Sequence, residues 1–429
     1  MASQDYSPEE LRALLPWLSA TIPVPPSPLD PAPPEPDSAR VRRLVGDRVR
    51  GMLLGLAIGD ALGNTSEAMT PAERRETYGE TRGDGRGDIR DYLPNRREDM
   101  RAVGLPSDDT QLAFWTLESL LRRGCLDPVS LADTFTRGDR IYGIGATITA
   151  FLKAYRREGK RWFEAGRPSA GNGALMRIAP VLLPHLRSMS WRLWEDVIVA
   201  TVLTHRDEAA VAASVGFVGL LAECLTRGAA RPAQGFGEGG ARAALGAEPG
   251  TAKGSEGPGR FMPGAAPGPA ERDIPARWWP ETFLKYARAV ETSKGYDCGG
   301  RNAPFHGSLC DRVEQAVFPA IASDSTVLEA AERWYSGAFL LETVPCVLFI
   351  LARHGNDPEE AIVRAVNDTY DNDTIAAVVG AAVGALHGKD ALPGLWRAGL
   401  VGRTREEDDG RVQELVERAV ETYVTGRSR

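Results

Sequence analysis

The sequence predicts an all-α fold, and three observations predict it. Apolar residues recur at three-to-four-residue spacing through most of the chain, the rhythm of one helix face. Period-two alternation, the mark of a half-buried strand, is scarce. Two segments carry glycine at every fourth position, Gly51, Gly55, Gly59 and Gly63 in one, Gly380, Gly384 and Gly388 in the other. That spacing lines the glycines along one face of a helix. Glycine costs about 1 kcal/mol relative to alanine inside a helix, so two smooth ridges make sense where backbones approach closely. They are expected to be neighbouring central helices.

The elements follow in order. Residues 1–39 form a proline-rich head, with "IPVPPSPLDPAPPEPDS" at 22–38 expected to be an extended, mobile lead-in. One folded domain is expected over 40–425. Val41, Leu44, Val45, Val49, Met52, Leu53 and Leu56 start its first helix, which continues into the ridge "GMLLGLAIGDALG" and is followed by Glu67. In "LPSDDTQLAFW", residues 105–115, Pro106 discourages an earlier start and Ser107 is a favoured N-cap before a helix carrying Leu112, Trp115 and Leu120. Val211, Val215, Val218, Leu221 and Leu225 mark another helix. From Gly228 to 274 the chain turns to glycine, alanine and proline without period, expected to be a flexible insertion because it has too little apolar surface to offset the entropy of ordering. Beyond it, "NDTYDNDTIAA" opens the second ridge.

Composition bounds the class. A chain of 429 residues, 43% hydrophobic and 25% charged, is globular with ample capacity for a core. The net charge of -7 argues against nonspecific nucleic-acid binding, which needs a basic surface. Five scattered cysteines without a CxxC pair make a disulfide framework or thiolate zinc site unexpected and fit a reducing compartment. The first residues carry acids where a secretory signal needs bases, and no apolar run is read as approaching the ~20 residues of a membrane span. A cytoplasmic monomer without nucleic-acid or membrane partners is expected.

Two helix entrances carry the chemistry. Asp108 and Asp109 follow Ser107, and Asp371, Asp373 and Thr374 stand before the second ridge. Acids in a first turn suit the helix dipole, and capping accounts for one acid per helix. It does not account for the same oxygen-rich signature twice. Carboxylates and hydroxyls are hard ligands, suited to Mg²⁺, Mn²⁺ or Ca²⁺ rather than zinc. Several around one point can hold two ions, which orient diols and activate water. The residues alone leave capping and ligation both open, because convergence is not visible in sequence.

In order along the chain, "GMLLGLAIGDALGNTSE", "SDDTQLAFWTLESLL", "GNGALMRIAPVLL", "THRDEAAVAAS" and "DNDTIAAVVGAAVGALHG" resemble the ADP-ribosylglycohydrolase family. The resemblance covers residues 45–226 and 325–390. It implies a compact all-α fold with a dinuclear Mg²⁺ or Mn²⁺ centre that cleaves ADP-ribose from an acceptor side chain. The implied partner is an ADP-ribosylated protein or another ADP-ribose derivative. The implied metal set is Ser107, Asp108, Asp109, Asp371, Asp373 and Thr374. Glu67 matches the acid beside the reacting ribose, and Glu67 or Asp108 is the implied general base. Ser169, Ala170, Gly171, Asn172 and Gly173 resemble the loop that wraps ribose and diphosphate, which a glycine-rich backbone suits. Gly143 and Gly145 resemble a substrate-lining turn, and His205 matches a histidine near the nucleotide.

Two positions depart from the family. Ser107 replaces a usual threonine and keeps the hydroxyl. Thr369-Tyr370 replaces a usual glycine pair, and Tyr370 is expected to add bulk beside the metals, narrowing substrate choice or impairing chemistry. Three readings follow: a hydrolase of ADP-ribosylated protein with arginine linkage slightly favoured, a non-hydrolytic ADP-ribose-binding module, and a hydrolase of a small ADP-ribose ester. Retention of all six ligand-type positions together with Glu67 favours an enzyme, because binding alone does not need every carboxylate.

Overall fold

The computed structural model describes residues 22–29, 37–78, 87–94, 102–227, 273–292, 294–298 and 304–426, and they are helical nearly throughout. Helices α1 (Asp37–Asn64), α2 (Pro71–Tyr78), α3 (Asp108–Arg123), α4 (Pro128–Phe135), α5 (Ala146–Arg156) and the single turn α6 (Trp162–Ala165) come first. Two 3-10 segments, Leu175–Arg177 and Ala179–His185, lead into α7 (Trp191–Val202) and α8 (Glu208–Thr226). The second half holds α9 (Trp278–Ala287), α10 (Leu309–Ala322), α11 (Val327–Trp334) and α12 (Leu340–His354). It ends with α13 (Pro358–Asp368), α14 (Asn372–His387), α15 (Gly394–Gly399) and α16 (Arg411–Ala419). One antiparallel hairpin, β1 (Tyr296–Cys298) with β2 (Phe305–Gly307), is the only sheet among the described residues.

The two glycine ridges meet. A Cβ added to Gly55 would lie 2.1 Å from the Gly380 carbonyl oxygen, and one added to Gly380 would lie 2.1 Å from that of Gly55. Gly51 faces Gly384, and Gly59 faces the Ala376 carbonyl, where a Cβ would stand at 2.0 Å. Gly388 completes the contact from just past the last turn of α14, at φ 85°: a Cβ on Gly51 would also lie 2.6 Å from its carbonyl carbon. At the other end Gly63 abuts the Asp373 backbone. The α1 and α14 helices therefore run antiparallel, and the close register brings the end of α1 against the acid-rich start of α14.

Helix α8 corrects one expectation. Over 19 residues it is apolar and long enough to cross a membrane by length and composition. It is instead buried inside the fold. A helix apolar all round is either a span or a core element. Here Gly216 and Gly219 receive the Phe283 and Tyr286 rings of α9 so closely that an added Cβ would clash.

The proline-rich lead-in is extended over residues 22–29, as expected, but it is docked rather than mobile there. The Trp194 indole donates to the Pro23 carbonyl at 3.1 Å, and the Leu29 and Met189 amides donate to Leu186 and to the Ser27 hydroxyl. Ile22 and Leu29 are buried. Extended chain leaves its carbonyls free to accept, which α7 exploits. Residues 37–39 of the head belong to α1 rather than to extended chain; residues 1–21 and 30–36, and residues 228–272 of the expected insertion, lie outside the described residues. At Ile274 the chain is pinned by a pair of hydrogen bonds to Asn356.

Candidate active site

The ridge contact places three helix starts around one cavity. Asp108 and Asp109 open α3, Ala146 opens α5, and Asp371 is the N-cap of α14. Each start carries a positive dipole end, a setting that tolerates negative charge. The cavity, of about 280 Å³, has Asp108, Asp109, Asp371, Asp373 and Thr374 on one wall with Glu67 beside them. Gly171, Gly173 and His205 also line it, and Gly143 lies against Asp108 and Glu67. Gly143 sits at φ 79°, and a Cβ there would come within 3.0 Å of Asp108 Oδ1, so the turn needs glycine for both conformation and space.

Asp60 organises the acids, and the sequence reading did not single it out. This fully buried carboxylate of α1 accepts from the backbone N–H groups of Ser107 and Thr110 and from both their hydroxyls, with the Ser107 Oγ contact at 2.7 Å. It caps α3 from another helix. Ser107, expected as a metal ligand and as a side-chain cap, makes no side-chain cap bond and does not line the cavity. Its hydroxyl donates to Asp60. An acid beside Gly59 in an otherwise apolar ridge was the available signal, since such a residue cannot be buried without donors.

The remaining oxygens are poorly satisfied. Carboxylate oxygens of Asp60, Asp109 and Asp373 lie within 4.8 Å of one another. Asp109 Oδ2 accepts from Thr374 Oγ1 at 3.3 Å, but the buried Oδ1 has no hydrogen-bond partner. Burial, then the charge of Asp60, holds Asp108 and Asp109 well above the usual carboxylate range. Burial and the neighbouring Asp371 do the same to Asp373. Burial raises Asp371 to about 6 against the opposing bond from Asn172. A partnerless buried oxygen amid mutually repelling acids fits a bound divalent cation.

Two further side chains missed in sequence tie the acids together. Arg74, buried in α2, donates to Ser66 Oγ and to the Asn367 and Thr369 carbonyls, linking the Glu67 turn to the approach to Asp371. Asn372 Nδ2 lies within hydrogen-bond reach of Gly63 O and Ser66 Oγ across the ridge.

The glycine-rich loop is held open from outside. Asn172 donates its backbone N–H to Ala338 O and its side chain to Thr343 Oγ1 and Asp371. Ser169 Oγ bonds to Thr147 Oγ1 and accepts from Gly171 N, while Ala170 O accepts from Leu340 N. Ser169 and Ala170 shape the loop but do not line the cavity; Gly171, Asn172, Gly173, Gly143 and Gly145 do. Tyr370, expected as bulk beside the metals, is not on the cavity wall either. Its ring packs against Tyr335, tilted by 40° at 5.0 Å between centroids, while Ser336 holds the backbone N–H groups of both Tyr370 and Asp371.

A family model described as ADP-ribosylglycohydrolase matches residues 41–428. The chain belongs to the ADP-ribosylglycohydrolase family. It is similar to the ADP-ribosylarginine hydrolase Tri1 of Pseudomonas putida (strain GB-1), 34% identical over 183 residues, which are 38% of this chain and 43% of that protein. The match thus spans less than half the length of that relative. Human ADP-ribosylhydrolase ARH3 is 24% identical over 72% of this chain and 77% of its own. The uncharacterized protein YegU of Escherichia coli (strain K12) is 27% identical over 82% of this chain and 92% of its own. A solved structure described as an ADP-ribosylglycohydrolase-related protein complex aligns with a TM-score of 0.52 and 24% identity, covering 90% of this chain and all of that one. That likeness is one of fold, and the all-α architecture agrees with this ADP-ribosylglycohydrolase assignment.

Proposed function

We propose that the chain is a metal-dependent hydrolase that removes ADP-ribose from modified protein side chains, with arginine linkage favoured over serine. The observation that carries this reading is the partnerless Asp109 Oδ1 among Asp108, Asp371 and Asp373, at the wall of a cavity that also holds Glu67 and a glycine-rich loop. Arginine linkage rests on the name of the 34%-identical relative.

Asp108, Asp109, Asp371, Asp373 and Thr374 would hold two divalent cations, Mg²⁺ or Mn²⁺, which when bound supply Lewis acidity and orient a ribose diol. The chain's own residues do the rest. Gly171 and Gly173 admit the diphosphate close to backbone, and His205 faces them. The carboxylate wall stabilises positive charge that develops at the anomeric carbon as its bond to the acceptor breaks. Glu67 takes the proton of the attacking water as the new C–O bond forms. A protonated guanidinium leaves as neutral guanidine and regains a proton from solvent, so it needs no acid from the protein.

The test is release of free ADP-ribose from arginine-modified and serine-modified proteins, side by side, with Mg²⁺ or Mn²⁺ and with a chelator. Cation-dependent release, faster from arginine, is expected. Tight ADP-ribose binding with no release from either protein, nor from a small ADP-ribose ester, would leave a binding module.

A further inference from the structure

Behind the glycine-rich loop lies a buried cation with no acid. Arg177 is fully buried in the Leu175–Arg177 segment, and no carboxylate pairs with it among the described residues. Its Nη2 donates to Ala200 O at 2.9 Å and to Thr204 Oγ1 at 2.6 Å; Nε and Nη1 have no hydrogen-bond partner, and the Phe135 ring lies 5.1 Å from the guanidinium. Thr204, also fully buried, contacts His205 Nδ1 at 2.9 Å. The other face of the imidazole meets the cavity: a Cβ on Gly173 would stand 3.2 Å from Nε2, and one on Gly171 3.7 Å from it.

The inventory of donors fixes the order of this chain. A guanidinium has no acceptor, so Arg177 must donate to Thr204. The one hydrogen left on the Thr204 hydroxyl has a single acceptor in reach, His205 Nδ1. If Nδ1 carried the ring proton instead, that hydroxyl hydrogen would be stranded in a dry interior. Nδ1 is therefore the acceptor, and the proton sits on Nε2. Burial and then the Arg177 charge pull the imidazole down to about 3, so the ring stays neutral. No other charge engages it: Asp207, two residues on, is taken by Lys294 and Tyr296.

We infer that Arg177 and Thr204 are positioning residues that fix His205 as a neutral donor whose Nε2–H points at an anionic phosphate oxygen lying on Gly171 and Gly173. This rests on the proposed reading of the cavity as an ADP-ribose site. The guanidinium contributes a second way. With no carboxylate to quench it, its field extends through the polarised hydroxyl and imidazole and favours an anion at the far end.

Nitrogen NMR of histidine-labelled protein tests the relay directly, since the chain has only five histidines and His205→Gln assigns the signal. Wild type is expected to show the Nε2–H tautomer unchanged between about pH 5 and 8, a range spanning an ordinary histidine midpoint. Thr204→Val should mix the tautomers and weaken ADP-ribose and ADP binding about tenfold, the loss of one hydrogen bond to an anion. The same variant should raise KM while leaving kcat nearly unchanged, and Thr204→Ser should restore all three readouts. An Nδ1–H tautomer, an ordinary titration of His205, or a wild-type tautomer in Thr204→Val would overturn the relay. An intact relay in a protein that binds no ADP-ribose would instead overturn the function proposed above.

Discussion

Asp60 and Ser107 meet across two helices: the Asp60 carboxylate accepts the Ser107 hydroxyl at 2.7 Å and its backbone N–H at 3.0 Å. The serine hydroxyl thus gives its hydrogen to an acid that does not line the cavity. Ser107→Ala is expected to lower stability by about 1–2 kcal/mol. It should weaken Mn²⁺ binding by about tenfold, the effect of disturbing a ligand's support rather than a ligand. Calorimetric titration checks this. Complete loss of Mn²⁺ binding would return Ser107 to the ligand set.

The cavity acids set a pH signature. Asp108, Asp109, Asp371 and Asp373 all have raised folded-state values, with Asp371 at about 6. Raised acids bind protons more tightly folded than unfolded, so their contribution is present below the ordinary carboxylate range and lost as pH rises through the raised values. Without cations, thermal stability should therefore fall between about pH 4 and 7. With saturating Mn²⁺ the fall should vanish, and Asp109→Asn should abolish that rescue. Melting curves across pH, with chelator and with Mn²⁺, measure both. Parallel curves would remove the cation from this site.

The ridge contact has no slack. Gly380→Ala would drive a Cβ to 2.1 Å from the Gly55 carbonyl oxygen, and both partners are backbone. A destabilisation of about 3 kcal/mol is expected, the upper end for overpacking. Gly394→Ala, at the exposed start of α15 with only the Arg397 side chain near, should change stability by less than about 0.5 kcal/mol. Urea denaturation of the pair is the measurement.

How much of this was legible in sequence depends on what each residue repeats. The ridges showed because their period of four is unlike chance, and the period alone implied that α1 and α14 touch. Asp108 with Asp109, and Asp371 with Asp373, showed because each pair exceeds what one helix start needs. Asp60 and Arg177 are single charges in apolar surroundings, and their roles come from partners far along the chain: the donors Ser107 and Thr110 for Asp60, the acceptor Thr204 for Arg177. The placement of Tyr370 was misread because size was visible but direction was not. The ring turns toward Tyr335, and a hydrogen bond from the Tyr370 amide to Ser336 Oγ holds its backbone.

Tyr335 and Tyr370 pack on each other and do not line the cavity. Tyr335 holds φ 60° and is half exposed, and the half-buried Glu342, raised to about 7 chiefly by burial, lies beside Gly337 in the same loop. A packed aromatic pair near a carboxylate suits a guanidinium acceptor better than a hydroxyl. Tyr370→Gly is expected to leave free ADP-ribose affinity unchanged and to slow release from arginine more than from serine linkages. Equal loss of affinity and release would place the ring on the nucleotide instead.

Glu67 separates a hydrolase from a reader. It follows the glycine-rich end of α1 in a turn where Ala68 takes φ 65°, and it lines the cavity beside Gly143, where an added Cβ would lie 3.9 Å from its Oε2. Gripping a diphosphate does not need a carboxylate there. Removing a general acid–base group lowers rate by about 10² to 10⁴, whereas one lost hydrogen bond weakens binding by roughly 0.5–1.5 kcal/mol. Glu67→Gln should therefore keep ADP-ribose and Mn²⁺ binding within about tenfold of wild type. Release of ADP-ribose from arginine-modified protein should fall by at least about a hundredfold. Both quantities are measured on the same preparation, so a folding defect would show first in binding. A variant that still releases ADP-ribose at the wild-type rate would remove Glu67 from the proton path and leave Asp108 as the base to test next.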